Sequence, residues 1–136
     1  MTIDQIILIT GLIFLFALIF GSVYFLPILF AKIRAKSFGL KINFEQAKIL
    51  AKDKCLQKDF LIGVRDIWAI YPFDVRKLTN HYLAGGDLIN IKNGLVEFRN
   101  KNIEPNEGFL TTFDLAKRDL KKEVEKAELN NWKYEL

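Results

Sequence analysis

The sequence predicts an all-α protein with one N-terminal transmembrane helix and a small helical domain of helix-pair repeats, each about 33 residues long. Three observations carry this expectation. An uncharged run opens the chain, apolar residues at helical spacing fill the remainder, and a Leu-Ala pair recurs at a near-constant interval. Glycine and proline punctuate the helical stretches, and strand-like alternation is scarce.

The chain has 136 residues, enough for an anchor and one small domain. From Gln5 to Ala31 no residue carries a formal charge. A bilayer core needs about 20 apolar helical residues, so this run is long enough to span it. A cleaved signal peptide would begin with basic residues and have a shorter apolar region. Here the start is "MTIDQ", with one acid and no base, so a retained anchor is expected. Pro27 is expected to kink or end the helix. Gly11 and Gly21 leave room for close helix contact but do not fall at GxxxG spacing, a weak signal for a helix-dimer face. The expected organisation is an anchor over 1–31, a basic juxtamembrane segment over 32–42, a helical repeat domain over 43–129 and a tail over 130–136.

Charge sets the expected orientation. Residues 32–52 hold six basic residues against Glu45 alone, a local balance of +5, whereas residues 53–136 hold 14 basic and 14 acidic residues. The basic excess therefore sits beside the membrane exit. The positive-inside rule then places the C-terminal domain in the cytoplasm, at the inner (plasma) membrane. Lys32, Arg34, Lys36 and Lys41 are the candidate contacts to anionic lipid headgroups. This local patch accounts for the basic isoelectric point without nucleic acid, and no aromatic-basic interleaving points to nucleic-acid binding. A single cysteine, Cys55, excludes an internal disulfide framework and fits a reducing compartment.

The helices follow in order. "NFEQAKILAKDKCL" starts at Asn43, a good N-cap. "KDFLIGVRDIWAI" spaces Phe60, Val64 and Ile67 on one face before "YPF" interrupts it. "DVRKLTNHYLA" aligns Val75, Leu78 and Tyr82. Asp87 caps the next helix, where Leu88, Ile91, Leu95 and Phe98 recur. After "NKNIEPN" one long helix is expected from about Glu107. Its stripe is Phe109, Phe113, Ala116, Leu120, Val124 and Ala127, with a mixed-charge solvated face in the later turns.

The joints repeat. Leu50-Ala51, Leu83-Ala84 and Leu115-Ala116 are 33 and 32 residues apart, and Pro72 and Pro105 are 33 apart, each 21 residues after a Leu-Ala alanine. Stepping back the same distance from Pro72 reaches Gly39. About two and a half stacked units are expected, since one helix pair cannot bury its apolar face alone. The tryptophan and glycine-tyrosine positions of tetratricopeptide repeats are missing.

The segment "NHYLAGGDL" looks at first like a site. His81, Leu83, Ala84, Gly85, Gly86 and Asp87 are instead expected to form a structural joint: Gly85 ends one helix in the left-handed region and Asp87 caps the next. Phosphate loops place glycines after a strand and supply a lysine, and neither feature is present. His81 lies near a helix C-terminus, where it can bond terminal carbonyls, so replacement by glutamine is expected to change little. One histidine and one distant cysteine are a poor metal set. No cofactor, metal or small-molecule substrate is expected.

"HYLAGGDL" followed by "NKNIEPNEGFLTTFDLAKRDL" resembles the bacterial flotillin-like protein family. Members carry an N-terminal membrane segment, then a histidine-tyrosine-leucine-alanine-glycine-glycine stretch, matched here by His81 to Gly86. An isoleucine-led segment follows and ends in aspartate-leucine-alanine-x-arginine-aspartate, matched by Asp114 to Asp119. The resemblance is strongest over residues 80–120 and concerns the family's N-terminal region, before its β-rich domain. It implies a membrane-bound scaffold without catalysis.

Two functions follow as expectations. The first is a non-enzymatic single-pass membrane protein, a flotillin-like scaffold or accessory subunit docking on other membrane protein subunits. The second is a homo-oligomeric flotillin-like scaffold that organises membrane microdomains. No nucleophile–base pair or cofactor fingerprint favours an enzyme. The expected interface with a partner, another subunit or a second copy, is the C-terminal end: Leu120, Val124, Ala127, Leu129, Trp132 and Tyr134.

Overall fold

The structure, a computed structural model, describes residues 1–129, with side chains through Lys126. The expected interface residues Trp132 and Tyr134, and the side chains of Ala127 and Leu129, lie outside the described residues. The described residues are all-helical: α1 (Ile3–Ser37), α2 (Phe44–Lys52), α3 (Lys58–Trp68), α4 (Val75–Leu83), α5 (Leu88–Asn100), α6 (Glu107–Leu115) and α7 (Leu120–Leu129).

After α1 the helices form three pairs, α2/α3, α4/α5 and α6/α7. The second helices stack in a row, α3 on α5 and α5 on α7, while α2 packs on α4 and α6 on α5. The caps mark the period. Asn43, Asp74 and Asn106 cap the first helix of each pair, 31 and 32 residues apart. Each accepts backbone N–H groups with its side chain, satisfying donors that the helix itself leaves open.

Helix ends repeat as strictly as helix starts. Gly39, Lys54, Gly85, Asn102 and Lys117 all take positive φ. At each, the next N–H closes a six-residue turn back on the preceding helix, as in Gly86 N–H to His81 O (2.9 Å) and Arg118 N–H to Phe113 O (3.1 Å). These are Schellman ends, which bring the residue after the turn onto the last helical turn. Thus the Cys55 N–H bonds back to Leu50, Ile103 to Phe98 and Leu40 to Ala35, and all six side chains are in or against the core. The helix α3 ends without such a turn, ahead of Pro72, and the Trp68 indole N–H donates to Phe73 O at 2.9 Å to fix that loop.

The turn at Lys117 changes the expected C-terminal helix. Residues 107–129 are two helices, because Ala116 is a C-cap and Lys117 turns left-handed at φ 60°. The Leu-Ala joint therefore prevails over the continuous apolar stripe. Among the described residues the number of pairs is three rather than two and a half. At the first joint the helix runs one residue past Leu50-Ala51, to Lys52, and the turn falls at Lys54.

One close contact recurs between stacked second helices. A Cβ at Gly63 on α3 would meet Leu88 Cδ1 at 2.7 Å, and a Cβ at Gly94 on α5 would meet Leu110 at 2.6 Å and Leu120 Cβ at 3.0 Å. Leu88 and Leu120 are the first residues of α5 and α7. Each is seated over a glycine of the helix before it, which lets the two axes approach.

The helix α1 does not end at Pro27, and no break separates residues 31 and 32. A proline removes one backbone donor, but the rod continues to Ser37. Its last turns enter the core. Ile28, Ala31 and Ala35 are buried, and α1 packs closely on α2, where Ala47 is also fully buried. The membrane-type helix is thus the first layer of the stack.

Two stability changes are expected from this geometry. Lys54→Gly relieves left-handed strain at an exposed position and stabilises by up to about 1 kcal/mol. Gly94→Val drives α6 and α7 off α5 and costs about 2 kcal/mol. Denaturant unfolding in mild detergent, followed by circular dichroism, measures both.

Candidate functional site

Two features stand out above the fold: a buried polar network at the second and third joints, and the surface where α1 meets the helical layer. The network centres on Asp114, in the last turn of α6. It is 3% exposed, as is His81 in the last turn of α4. His81 Nε2 lies 2.5 Å from Asp114 Oδ2. The same oxygen accepts the Asp87 backbone N–H at 2.8 Å. Asp114 Oδ1 accepts Asn90 Nδ2 at 2.6 Å. Asn90 also donates to Arg118 O at 2.8 Å and accepts the Leu120 N–H at 3.1 Å.

The joint at Gly85 and the joint at Lys117 are thereby tied to each other and to the starts of α5 and α7. Lys117 Nζ adds a bond to Gly85 O at 3.2 Å. A buried carboxylate is costly unless hydrogen-bonded, and here three donors from two other elements converge on it. Both oxygens are occupied by structural donors. His81 Nδ1 has no hydrogen-bond partner among the described residues. A second tie between the same two pairs lies further along: Lys77 forms an ion pair with Glu107 at 2.9 Å, and the Glu107 carboxylate raises the Lys77 ammonium pKa.

The expected joint residues fall as follows. Ala84 is the C-cap of α4, Gly85 has φ +87°, and Asp87 accepts the N–H groups of Ile89 and Asn90 at the start of α5. Gly86 matters for space: a Cβ there would collide with the His81 ring. Leu83 is 57% exposed. His81 does not serve terminal carbonyls, as its position near a helix end suggested. It is buried and bonded across the stack to Asp114, 33 residues on. The glutamine replacement would therefore act on a buried contact. In the sequence Asp114 stands only as the first residue of the family-like motif, with no sign of its burial, and Asn90 carries no signal of its own. The repeat gives only an approximate pointer, since the 32-residue offset between these joints carries His81 to Phe113, next to Asp114.

Where α1 meets the helical layer, Lys32, Lys36 and Lys41 are exposed. Arg34 is not free in the same way. Its Nε donates to Leu56 O at 3.1 Å and its guanidinium stacks 5.2 Å from the Phe38 ring centroid. It ties α1 to the loop after α2. The layer also reaches back along α1: Phe44 lies 6.2 Å from Phe25, and Lys48 Nζ sits 6.0 Å over the Tyr24 ring.

Leu120 and Val124, expected as interface, are both fully buried within the chain. They face α5, on which α7 packs, because the break at Lys117 folds α7 back. Among the described residues the outward side of α7 carries the exposed Lys121, Lys122 and Lys126.

Among the described residues no group of three or more histidine, cysteine, aspartate or glutamate side chains could hold a metal. No family model, curated protein or solved structure matches the chain.

Removing the His81 ring strands the Asp114 carboxylate, so His81→Ala should cost about 3 kcal/mol, while His81→Gln, which keeps a side-chain N–H donor, should cost less. Gly86→Ala should mimic the loss of the ring contact. Gly85→Ala meets open space and should cost only the left-handed strain, about 1 kcal/mol. Thermal unfolding of the four variants gives the order.

Cys55 is fully buried, and its thiol pKa is raised by burial and then by the Asp53 carboxylate. Fewer thiolates form at a given pH, so native Cys55 should react with iodoacetamide at pH 8 at least about tenfold more slowly than in denaturant.

Proposed function

We propose that this is a single-pass membrane protein, N-terminus outside and helical layer in the cytoplasm, that works as a non-enzymatic flotillin-like scaffold or accessory subunit docking on other membrane proteins. The observation that carries the proposal is α1. It is long and apolar enough to cross a membrane, and none of its most apolar stretch is buried by the rest of the chain. A soluble core helix would be covered. Its far end is built into the helical layer, so the layer is held at the surface where the helix emerges.

The orientation rests on the basic step after Ala31, with Lys32, Lys36 and Lys41 open to solvent. The scaffold reading draws support from the two stretches that resemble the flotillin-like family. His81 in the first bonds Asp114 in the second, which gives their joint occurrence a physical basis. Protein docking is favoured by exposed apolar side chains around the joints, Leu83, Ile89 and Leu115, on an otherwise polar layer. The engaged oxygens of Asp114 favour a structural over a catalytic role for the network.

Two measurements test the proposal. Cysteines introduced at Thr2 and Asn131 should label from outside and only after permeabilisation, respectively; labelling of Asn131 in intact cells refutes the orientation. Extraction in mild detergent followed by mass measurement should give a defined complex with foreign subunits, weakened by Ile89→Lys. A ring of this chain alone would select the homo-oligomeric scaffold instead.

A further inference from the structure

The helix α1 carries more exposed apolar surface than an upright span uses. Its uncharged run of 27 residues, Gln5 to Ala31, is about 40 Å long at 1.5 Å per residue, against a hydrocarbon core of about 30 Å. The helical layer begins to touch α1 at Tyr24 and Phe25. From there the helix has two faces. Ile28, Ala31 and Ala35 lie under the layer. Leu26, Leu29, Phe30 and Ile33 are 52–60% exposed. At 100° per residue these four centre on the side opposite the buried three. Lys32 and Lys36 flank the stripe on one side and Arg34 on the other.

We propose that α1 leaves the bilayer tilted, with Leu26, Leu29, Phe30 and Ile33 lying against lipid of the leaflet on the layer's side. The helical layer then rides on the opposite, water-facing side of the same helix. This rests on the membrane reading above. Lipid is the occupant because the stripe continues the exposed apolar surface of residues 3–23 without a break, and because Lys32 and Lys36 border it at headgroup level, where anionic lipid complements them. Immersing the whole uncharged run would need a tilt of about 40°, the upper end of what spans adopt; immersing one face of its last turns needs less. The tilt direction is fixed by the layer, which blocks immersion of the other face. The protein would thus hold its helical layer at one set angle to the membrane instead of on a free tether.

Lipid quenching tests this on the full chain in vesicles of equal parts phosphatidylcholine and phosphatidylglycerol. A fluorophore is placed at Phe14→Cys, Phe30→Cys, Ile33→Cys and Arg76→Cys, each checked for native circular dichroism. Acyl-chain nitroxide lipid should quench Phe14, Phe30 and Ile33 at least about threefold more than Arg76. If Phe14 is quenched but Phe30 and Ile33 match Arg76, the span stands and the tilted contact is wrong. If Phe14 also escapes quenching, the membrane reading itself fails. If Phe30 and Ile33 are shielded from lipid while spin labels there couple between chains, a second copy covers the stripe and the proposal is overturned.

Discussion

The structure depends on the packing of the last turns of α1 against α2. Ile28, Ala31 and Ala35 are buried there, and two alanines one helical turn apart let the helices approach closely. Stacked helix pairs bury their apolar faces only on their neighbours, so a stack needs something at each end. The helix α1 covers the first pair. On the last described pair, the outward side of α7 carries the exposed Lys121, Lys122 and Lys126. Between them, each second helix receives the leading leucine of the next over a glycine, Leu88 on Gly63 and Leu120 on Gly94. A helix apolar enough to cross a membrane and the layer it carries therefore form one continuous structure.

The polar network adds specificity to that apolar stack. Schellman ends fix where each helix stops, and they place His81 and Asp114 at corresponding ends of α4 and α6. The short His81–Asp114 contact, with Asp87 and Asn90 on the same carboxylate, joins neighbouring pairs at one register. A slipped stack would bury an unpaired carboxylate, which is far costlier than a lost apolar contact. The glycine pair that resembled a binding loop serves this arrangement: Gly85 allows the turn, and Gly86 leaves room for the imidazole.

Much of the fold was legible because its signals are local. Caps at Asn43 and Asp87, the left-handed glycine at 85 and the uncharged run of α1 are each read within a few residues. The long-range features were harder. The apolar stripe through Leu120 and Val124 fits one continuous helix equally well, and only the left-handed Lys117, a residue with no sequence preference for that turn, breaks it. Those two leucine-valine positions then move from an expected interface into the core. Pro27 carries a strong helix-breaking signal, yet the rod passes through it, since a proline costs a single donor that a membrane-type helix tolerates. Nothing local in "FDLAKRD" marks Asp114 as buried. It is buried against a residue 33 positions away, a contact that no local pattern marks.

The most direct measurement is backbone hydrogen exchange of the full chain in lipid nanodiscs, read at residues 31–37 against α3 and α5. These amides are in a helix packed into the stack and should be protected to the same degree as the core helices, opening only when the layer unfolds. Rapid exchange across 31–37 with α3 and α5 still protected would contradict the account, because α1 would then be a tether and not the first layer of the fold.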